Sequence, residues 1–82
     1  MRLNEEGQQA IINATRDVYF ARIDGRKTDM LIAMSKVKAL CELFVDDLGR
    51  DAADNLTNCR SEEAIDVLET MDCDEFAALV SE

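Results

Sequence analysis

The clearest pattern of apolar positions in the chain lies between residues 28 and 48. Apolar residues recur there at alternating spacings of four and three: Met30, Met34, Val37, Cys41, Phe44 and Leu48. That spacing is typical of one face of an amphipathic helix. Thr28 is a suitable N-cap residue, and Gly49 is a suitable helix end. The pattern therefore predicts a helix over 28–48.

A second long helix is predicted over 4–24. Asn4 is a suitable N-cap, acids follow it in the first turn, and Gly25 suits a left-handed position just after the helix. Its apolar residues lie on more than one side, which indicates that other elements or a second subunit cover it. The side away from the main stripe carries Ile12, Tyr19, Phe20 and Ile23.

The fold class that follows is all-α, with the two long helices forming an antiparallel hairpin. Their similar lengths and a loop of about three residues favour this arrangement. Two or three short C-terminal helices are expected to pack on the hairpin, over 51–58, 61–71 and 72–81. The last has the strongest start signal, since Asp72 and Glu75 have the spacing of a capping box.

Composition fits a single domain over residues 1–82. Apolar residues make up 48% of the chain, proline is absent, and the formal net charge is −9. The charge is uneven: residues 1–40 carry seven Lys/Arg against five Asp/Glu, whereas residues 41–82 carry two against thirteen. A strongly acidic field repels nucleic acid and attracts basic surfaces. We therefore expect a protein partner with a basic surface and no direct binding of nucleic acid.

The side-chain inventory gives no reason to expect catalysis, a cofactor or a metal site. Histidine is absent, and the three cysteines have wide spacings with no Cys-x-x-Cys pair. Without histidine the usual proton shuttle and nucleophile pairs cannot be built. No apolar run is long enough for a membrane span. The first residues lack the pattern of a secretory signal, which predicts a cytoplasmic protein.

One segment resembles the prosthetic-group motif of acyl carrier proteins, which are also small, acidic and helical. Residues 44–52 read Phe-Val-Asp-Asp-Leu-Gly-Arg-Asp-Ala, against the family pattern F-x-x-D-L-G-x-D-S-L. The resemblance covers about ten positions and would imply phosphopantetheine on a serine. Ala52 stands at the serine position, so there is no hydroxyl to modify, and carrier function is excluded.

The acids of the C-terminal half are the candidate binding residues. Two sets have helical spacing, Asp47, Asp51 and Asp54 in one and Glu62, Asp66 and Glu69 in the other. Like charges at such spacing destabilise a helix by about 0.2–0.5 kcal/mol per pair. Two interpretations remain open here: a surface that binds a partner, or a solvated face that maintains solubility.

The leading hypothesis is a small acidic protein-binding module. It would be an inhibitor or adaptor that engages a basic surface, such as one that binds nucleic acid. Its small size, lack of catalytic groups and negative charge suggest a phage or mobile-element protein. The alternative is a structural or regulatory homodimer that pairs through Ile12, Tyr19, Phe20 and Ile23, with acids that only solubilise it.

Overall fold

A computed structural model describes residues 1–81. All regular elements in this range are helices, which confirms the predicted all-α class. They are α1 (Glu5–Ile23), α2 (Lys27–Leu43), α3 (Val45–Leu48), α4 (Ala52–Thr57), α5 (Glu62–Glu69) and α6 (Cys73–Val80). No helix among the described residues is both long and apolar enough to cross a membrane.

Helix α1 begins and ends with the local signals that the sequence carries. The Asn4 side chain accepts a hydrogen bond from the Gly7 amide at 2.8 Å. At the other end Gly25 has φ +72°, and the Arg26 amide donates to the Ala21 carbonyl at 2.9 Å. This is a Schellman-type end, in which a left-handed glycine lets the chain turn back towards the next helix.

The predicted continuous helix over 28–48 is interrupted. Helix α2 begins at Lys27 after Arg26, which makes no side-chain cap bond, so the expected cap at Thr28 was wrong. Phe44 leaves helical geometry with φ −115° and ψ 28°, and the separate α3 follows it. The cause is tertiary, because the buried Phe44 ring packs over Gly7 at the start of α1.

The contact between Gly7 and Phe44 also establishes the antiparallel hairpin. It brings the beginning of α1 against the end of α2, and a three-residue connection joins their other ends. A Cβ atom added to Gly7 would lie 2.5 Å from the Phe44 Cζ, so only glycine permits this approach. The hairpin is therefore closed by a ring packed directly on a helix backbone.

The short helices complete the core around α1. Helix α1 contacts α2, α4, α5 and α6, so it is central, as its broad apolar surface indicated. Helix α6 has the predicted capping box between Asp72 and Glu75, and its Phe76 is fully buried. The largest fully buried side chains come from five helices and are Phe76, Ile11, Ile12, Leu48, Ile65, Val18, Val37 and Thr15.

Candidate functional site

Two of the predicted binding acids are engaged within the chain. Arg16 on α1 forms ion pairs with Asp66, at 2.8 Å, and with Glu69, both on α5. The hydrogen bond to Glu69 is the main reason that the pKa of Arg16 lies above its ordinary value, with burial opposing the shift. The Arg16 guanidinium thus offsets part of the negative charge of Asp66 and Glu69. These two acids connect α5 to α1 and also face solvent.

Asp47 fixes the N-terminal segment. Its Oδ2 accepts a hydrogen bond from the Leu3 amide at 2.6 Å, and Leu3 is buried in the core. The Asp47 residue is nevertheless exposed. It therefore has a structural contact on one side and remains accessible on the other.

The expected alignment of Asp47 with Asp51 and Asp54 is wrong. That alignment required a continuous helix, and Gly49, with φ +80°, separates α3 from α4. Asp51 precedes α4 without a side-chain cap bond. Asp54 lines a groove between α2 and α4 together with Lys38.

Glu62 lies exposed in the first turn of α5, after Ser61, whose side chain caps the helix. The six predicted acids thus belong to three helices with different neighbours. Helix α3 packs on α2 and α6, α4 on α1, α2 and α6, and α5 on α1. Of the six, the contacts join only Asp66 and Glu69, through Arg16.

A different set of carboxylates surrounds Cys73 at the start of α6. We call Glu5, Asp47, Asp72 and Asp74 the carboxylate cluster. Burial raises the pKa of the Cys73 thiol, and the negative charges of these four residues raise it further. Cys73 also lies in both of two grooves, one lined by Asp47 and Asp74 and the other by Glu5 and Asp72. Three segments of the chain, the starts of α1 and α6 and the short α3, therefore converge on one acidic surface.

Only Asp47 of the carboxylate cluster was among the residues predicted to bind. Glu5, Asp72 and Asp74 have local explanations in the sequence, because acids are favoured in the first turn of a helix. What the local pattern does not reveal is that the beginnings of α1 and α6 meet beside α3. The sequence feature that could have indicated the cluster is the presence of acids at the starts of two predicted helices.

The carboxylate cluster has no ion-pair partner among residues 1–81. The salt bridges in this range come from Arg16 and Arg26, and neither reaches the cluster. Arg2 lines the same groove as Asp47 and Asp74 without pairing with them. The described residues also include no group of three Cys, Asp or Glu side chains placed to hold a metal ion. None of the four acids of the cluster is therefore ion-paired within the described residues.

The candidate dimer face on α1 is only partly available. Ile12 is 1% exposed and belongs to the core of the single chain, so its assignment to a dimer face was wrong. Tyr19 and Phe20 are half-buried and meet edge to face, with ring centroids 5.4 Å apart. Ile23 is exposed. The sequence predicted a helix over 61–71 packed on the hairpin but not its position. In the structure α5 contacts α1, and its Asp66 and Glu69 pair with Arg16, one turn after Ile12.

The structure also shows the environment of the position that carries the serine in the carrier-protein motif. Ala52, at the position of the modified serine, is fully buried at the beginning of α4. A side chain there faces the core, so the position offers neither the hydroxyl nor the access that a prosthetic group requires.

Comparisons with known proteins give no family to which this site can be referred. No family model, no curated protein and no solved structure matches the chain.

Proposed function

We propose that this protein is a small acidic protein-binding module, acting as an inhibitor or adaptor that engages a basic surface of a partner protein. The observation that carries the proposal is the carboxylate cluster around Cys73. Its four acids come together from three separate segments and form no ion pair among residues 1–81. Grouped like charges repel one another, and a cationic partner would relieve that repulsion.

The charge of the whole chain supports a cationic partner. Residues 41–82 carry two Arg and no Lys against thirteen Asp/Glu, and the total formal charge is −9. Complementary charge raises the rate of encounter between proteins and selects among partners. The basic grooves of nucleic-acid-binding proteins attract negative charge in the same way. An inhibitor of such a protein would compete by presenting carboxylates where phosphates bind.

Conservative neutralisation of the carboxylate cluster tests the proposal. The variant Glu5→Gln, Asp47→Asn, Asp74→Asn removes three charges, keeps the acceptor for the Leu3 amide, and leaves the Asp72 cap intact. A control variant, Asp51→Asn, Asp54→Asn, Glu62→Gln, changes the net charge equally on α4, α5 and the residue before α4. Immobilised wild-type protein and both variants would be used to capture partners from a lysate at low and high salt.

We expect the wild type to capture proteins with basic surfaces in a salt-sensitive manner, and the cluster variant to lose them. Equal loss in both variants would mean that net charge alone acts, while loss only in the control would place binding on the acids predicted from sequence. Capture that is unchanged in both variants and insensitive to salt would contradict an acidic binding surface.

A competition experiment separates an inhibitor from an adaptor. A captured partner would be mixed with a labelled DNA or RNA duplex, and displacement of the duplex by the wild-type protein would be measured. An inhibitor displaces the duplex, and the cluster variant does so more weakly. An adaptor forms a complex that contains all three components.

A further inference from the structure

Helix α2 has a second apolar face that no described element covers. It consists of Thr28, Ile32, Ser35, Ala39 and Leu43, which we call the α2 stripe. The spacings of four, three, four and four place these residues along one side of the helix. All five are exposed, and Ile32 and Leu43 are 60% and 51% exposed. Leu31, 54% exposed, lies beside them.

The α2 stripe lies opposite the face that enters the core. Val37 and Cys41, which are buried, lie on the inner side of the same helix. Ile32, Ala39 and Leu43 are the apolar members of the stripe, and Thr28 and Ser35 are its small hydroxyl residues. At about 1.5 Å per residue, the stripe from 28 to 43 is about 23 Å long. Ser35 and Ala39, near its middle, are small enough for another helix to approach closely.

The charges at the two ends of α2 indicate what covers the stripe. Lys27 lies in the first turn, whereas Glu42 and Asp46 lie at the far end. All three are exposed, and none forms an ion pair within residues 1–81. Arg26 at the same end is paired with Asp24 and Asp29, so among residues 1–81 Lys27 is the unpaired cation there. When two copies of α2 pack antiparallel, Lys27 of each lies beside the end of the other that holds Glu42 and Asp46. The helix dipoles are then also opposed.

We propose that the α2 stripe is the interface of a homodimer, formed by antiparallel packing of α2 against α2 of a second copy. A two-fold axis near the middle of the stripe makes this interface self-complementary, as an isologous contact requires. Ile32 of each copy then packs near Ala39 of the other, and Leu43 packs near Thr28. Each Lys27 faces the Glu42 and Asp46 of the second copy.

The other lysines near the stripe have acidic neighbours in their own chain. Lys36 lines a groove with Asp17 and Asp29 on one side of α2. Lys38 lines a groove on the other side of α2 with Asp54 and Glu42. Glu42 thus also has a lysine near it in its own chain, whereas Asp46, the other acid at this end, lines neither groove. When the two helices pair, the charges of Lys36 and Lys38 are therefore balanced by nearby acids of their own chain.

The dimer is expected to be reversible. One helix face per copy lies towards the small end of specific interfaces, which bury about 1,200–2,000 Å² in total. The carboxylate cluster lies on α1, α3 and α6 rather than on the α2 stripe, so a dimer would display two acidic surfaces. This inference does not depend on the proposed function, because association of the protein with itself is measured without any partner.

Sedimentation equilibrium over a wide concentration range tests the interface. For the wild type we expect the average mass to rise from 9.2 kDa towards twice that value. The variant Ile32→Ser, Leu43→Ser should raise the dissociation constant by at least about tenfold, since each substitution acts twice in a symmetric dimer. The control Val67→Ser, Leu79→Ser changes two similarly exposed apolar residues elsewhere and should leave the constant unchanged.

Charge reversal tests the antiparallel direction. Lys27→Glu and Asp46→Lys should each weaken the dimer several-fold at low salt, and the double variant should recover most of that loss. In one chain the whole of the 17-residue α2, about 25 Å long, lies between Lys27 and Asp46 in α3, so such coupling must pass between chains.

Four results would overturn the inference. They are a strict monomer at the highest concentration, equal weakening by the control pair, absence of recovery in the double reversal, and a dimer weakened by Ile23→Ser instead of the stripe variant. The last would place association on α1. Binding of a basic partner by a strictly monomeric protein would leave the proposed function standing while the dimer failed.

Discussion

Cys41 is a thiol placed among apolar side chains on the inner face of α2. It is 4% exposed, and burial raises its pKa from 9.0 to about 11. The thiolate is the nucleophilic form of cysteine. A residue in this environment therefore acts as a small apolar core group, and its ionisation opposes folding.

We expect this thiol to make the protein less stable at high pH. Below pH 9 it is protonated in both the folded and the unfolded chain, so it adds no pH dependence. As the pH rises from 9 to about 11, the unfolded chain loses the proton while the folded chain retains it, and the free energy of unfolding falls. A shift of this size corresponds to about 2–3 kcal/mol in total.

Urea unfolding of the wild type and of Cys41→Ala across this pH range measures the effect. The variant starts from lower stability because it has a cavity, but it should lose less stability as the pH rises. Cys59→Ala, at a half-exposed site, is the matched control and should follow the wild type. Parallel curves for the wild type and Cys41→Ala would contradict the argument.

The elements of this fold differ in how far local sequence determines them. Asn4, Ser61 and Asp72 begin helices where the pattern places a cap, because capping depends on residues within one turn. The break at Phe44 was not predictable in this way, since it depends on Gly7, far away in sequence.

The same distinction applies to the candidate site. The i, i+3 pairing of Asp66 and Glu69 can be read from α5 alone. Their partner Arg16 lies 50 and 53 residues away, so it appears only when α5 packs on α1. Convergence of Glu5 and Asp74 beside Cys73 is likewise a product of packing.

Gln8 is the polar side chain that joins α1 to the end of α5 and the start of α6. Its Nε2 donates to the Met71 carbonyl at 2.8 Å and to the Leu68 carbonyl at 3.3 Å, while its Oε1 accepts from the Cys73 thiol at 3.2 Å. It is 6% exposed. One side-chain amide thus bonds the Leu68 carbonyl, in the last turn of α5, and the Met71 carbonyl, just after that helix.

Gln8→Leu should lower the free energy of unfolding by about 1–3 kcal/mol. The leucine fills similar space but removes the Gln8 donor from both carbonyls. The Leu68 carbonyl still accepts from the Met71 amide, so the larger loss falls on the Met71 carbonyl. Gln9→Leu is the neighbouring control, because Gln9 is exposed and bonds only Asn13 on the same helix. Hydrogen exchange should show the amides of α5 and α6 losing protection first. Uniform loss across all helices, or equal destabilisation by both variants, would argue against this role.

At the scale of the whole molecule, the negative charge exceeds what the chain can pair. Eighteen acids face nine bases, and the salt bridges of residues 1–81 involve two arginines and four carboxylates. Exposed pairs of this kind contribute little, about 0–1 kcal/mol. Net self-repulsion therefore dominates the electrostatic balance of folding.

Moderate salt should consequently raise the melting temperature above its value at low salt. Screening weakens the repulsion among many unpaired acids more than it weakens a few ion pairs. The variant Glu5→Gln, Asp47→Asn, Asp74→Asn should melt higher than the wild type at low salt and respond less to added salt. Asp24→Asn, Asp29→Asn is a useful contrast, because it removes the acids that pair with Arg26 and should give no such gain.

A cluster variant that is less stable than the wild type would assign the acids of the carboxylate cluster a structural role. If it is more stable, the chain retains the cluster at a cost to its own folding, which is the behaviour expected of a surface kept for binding.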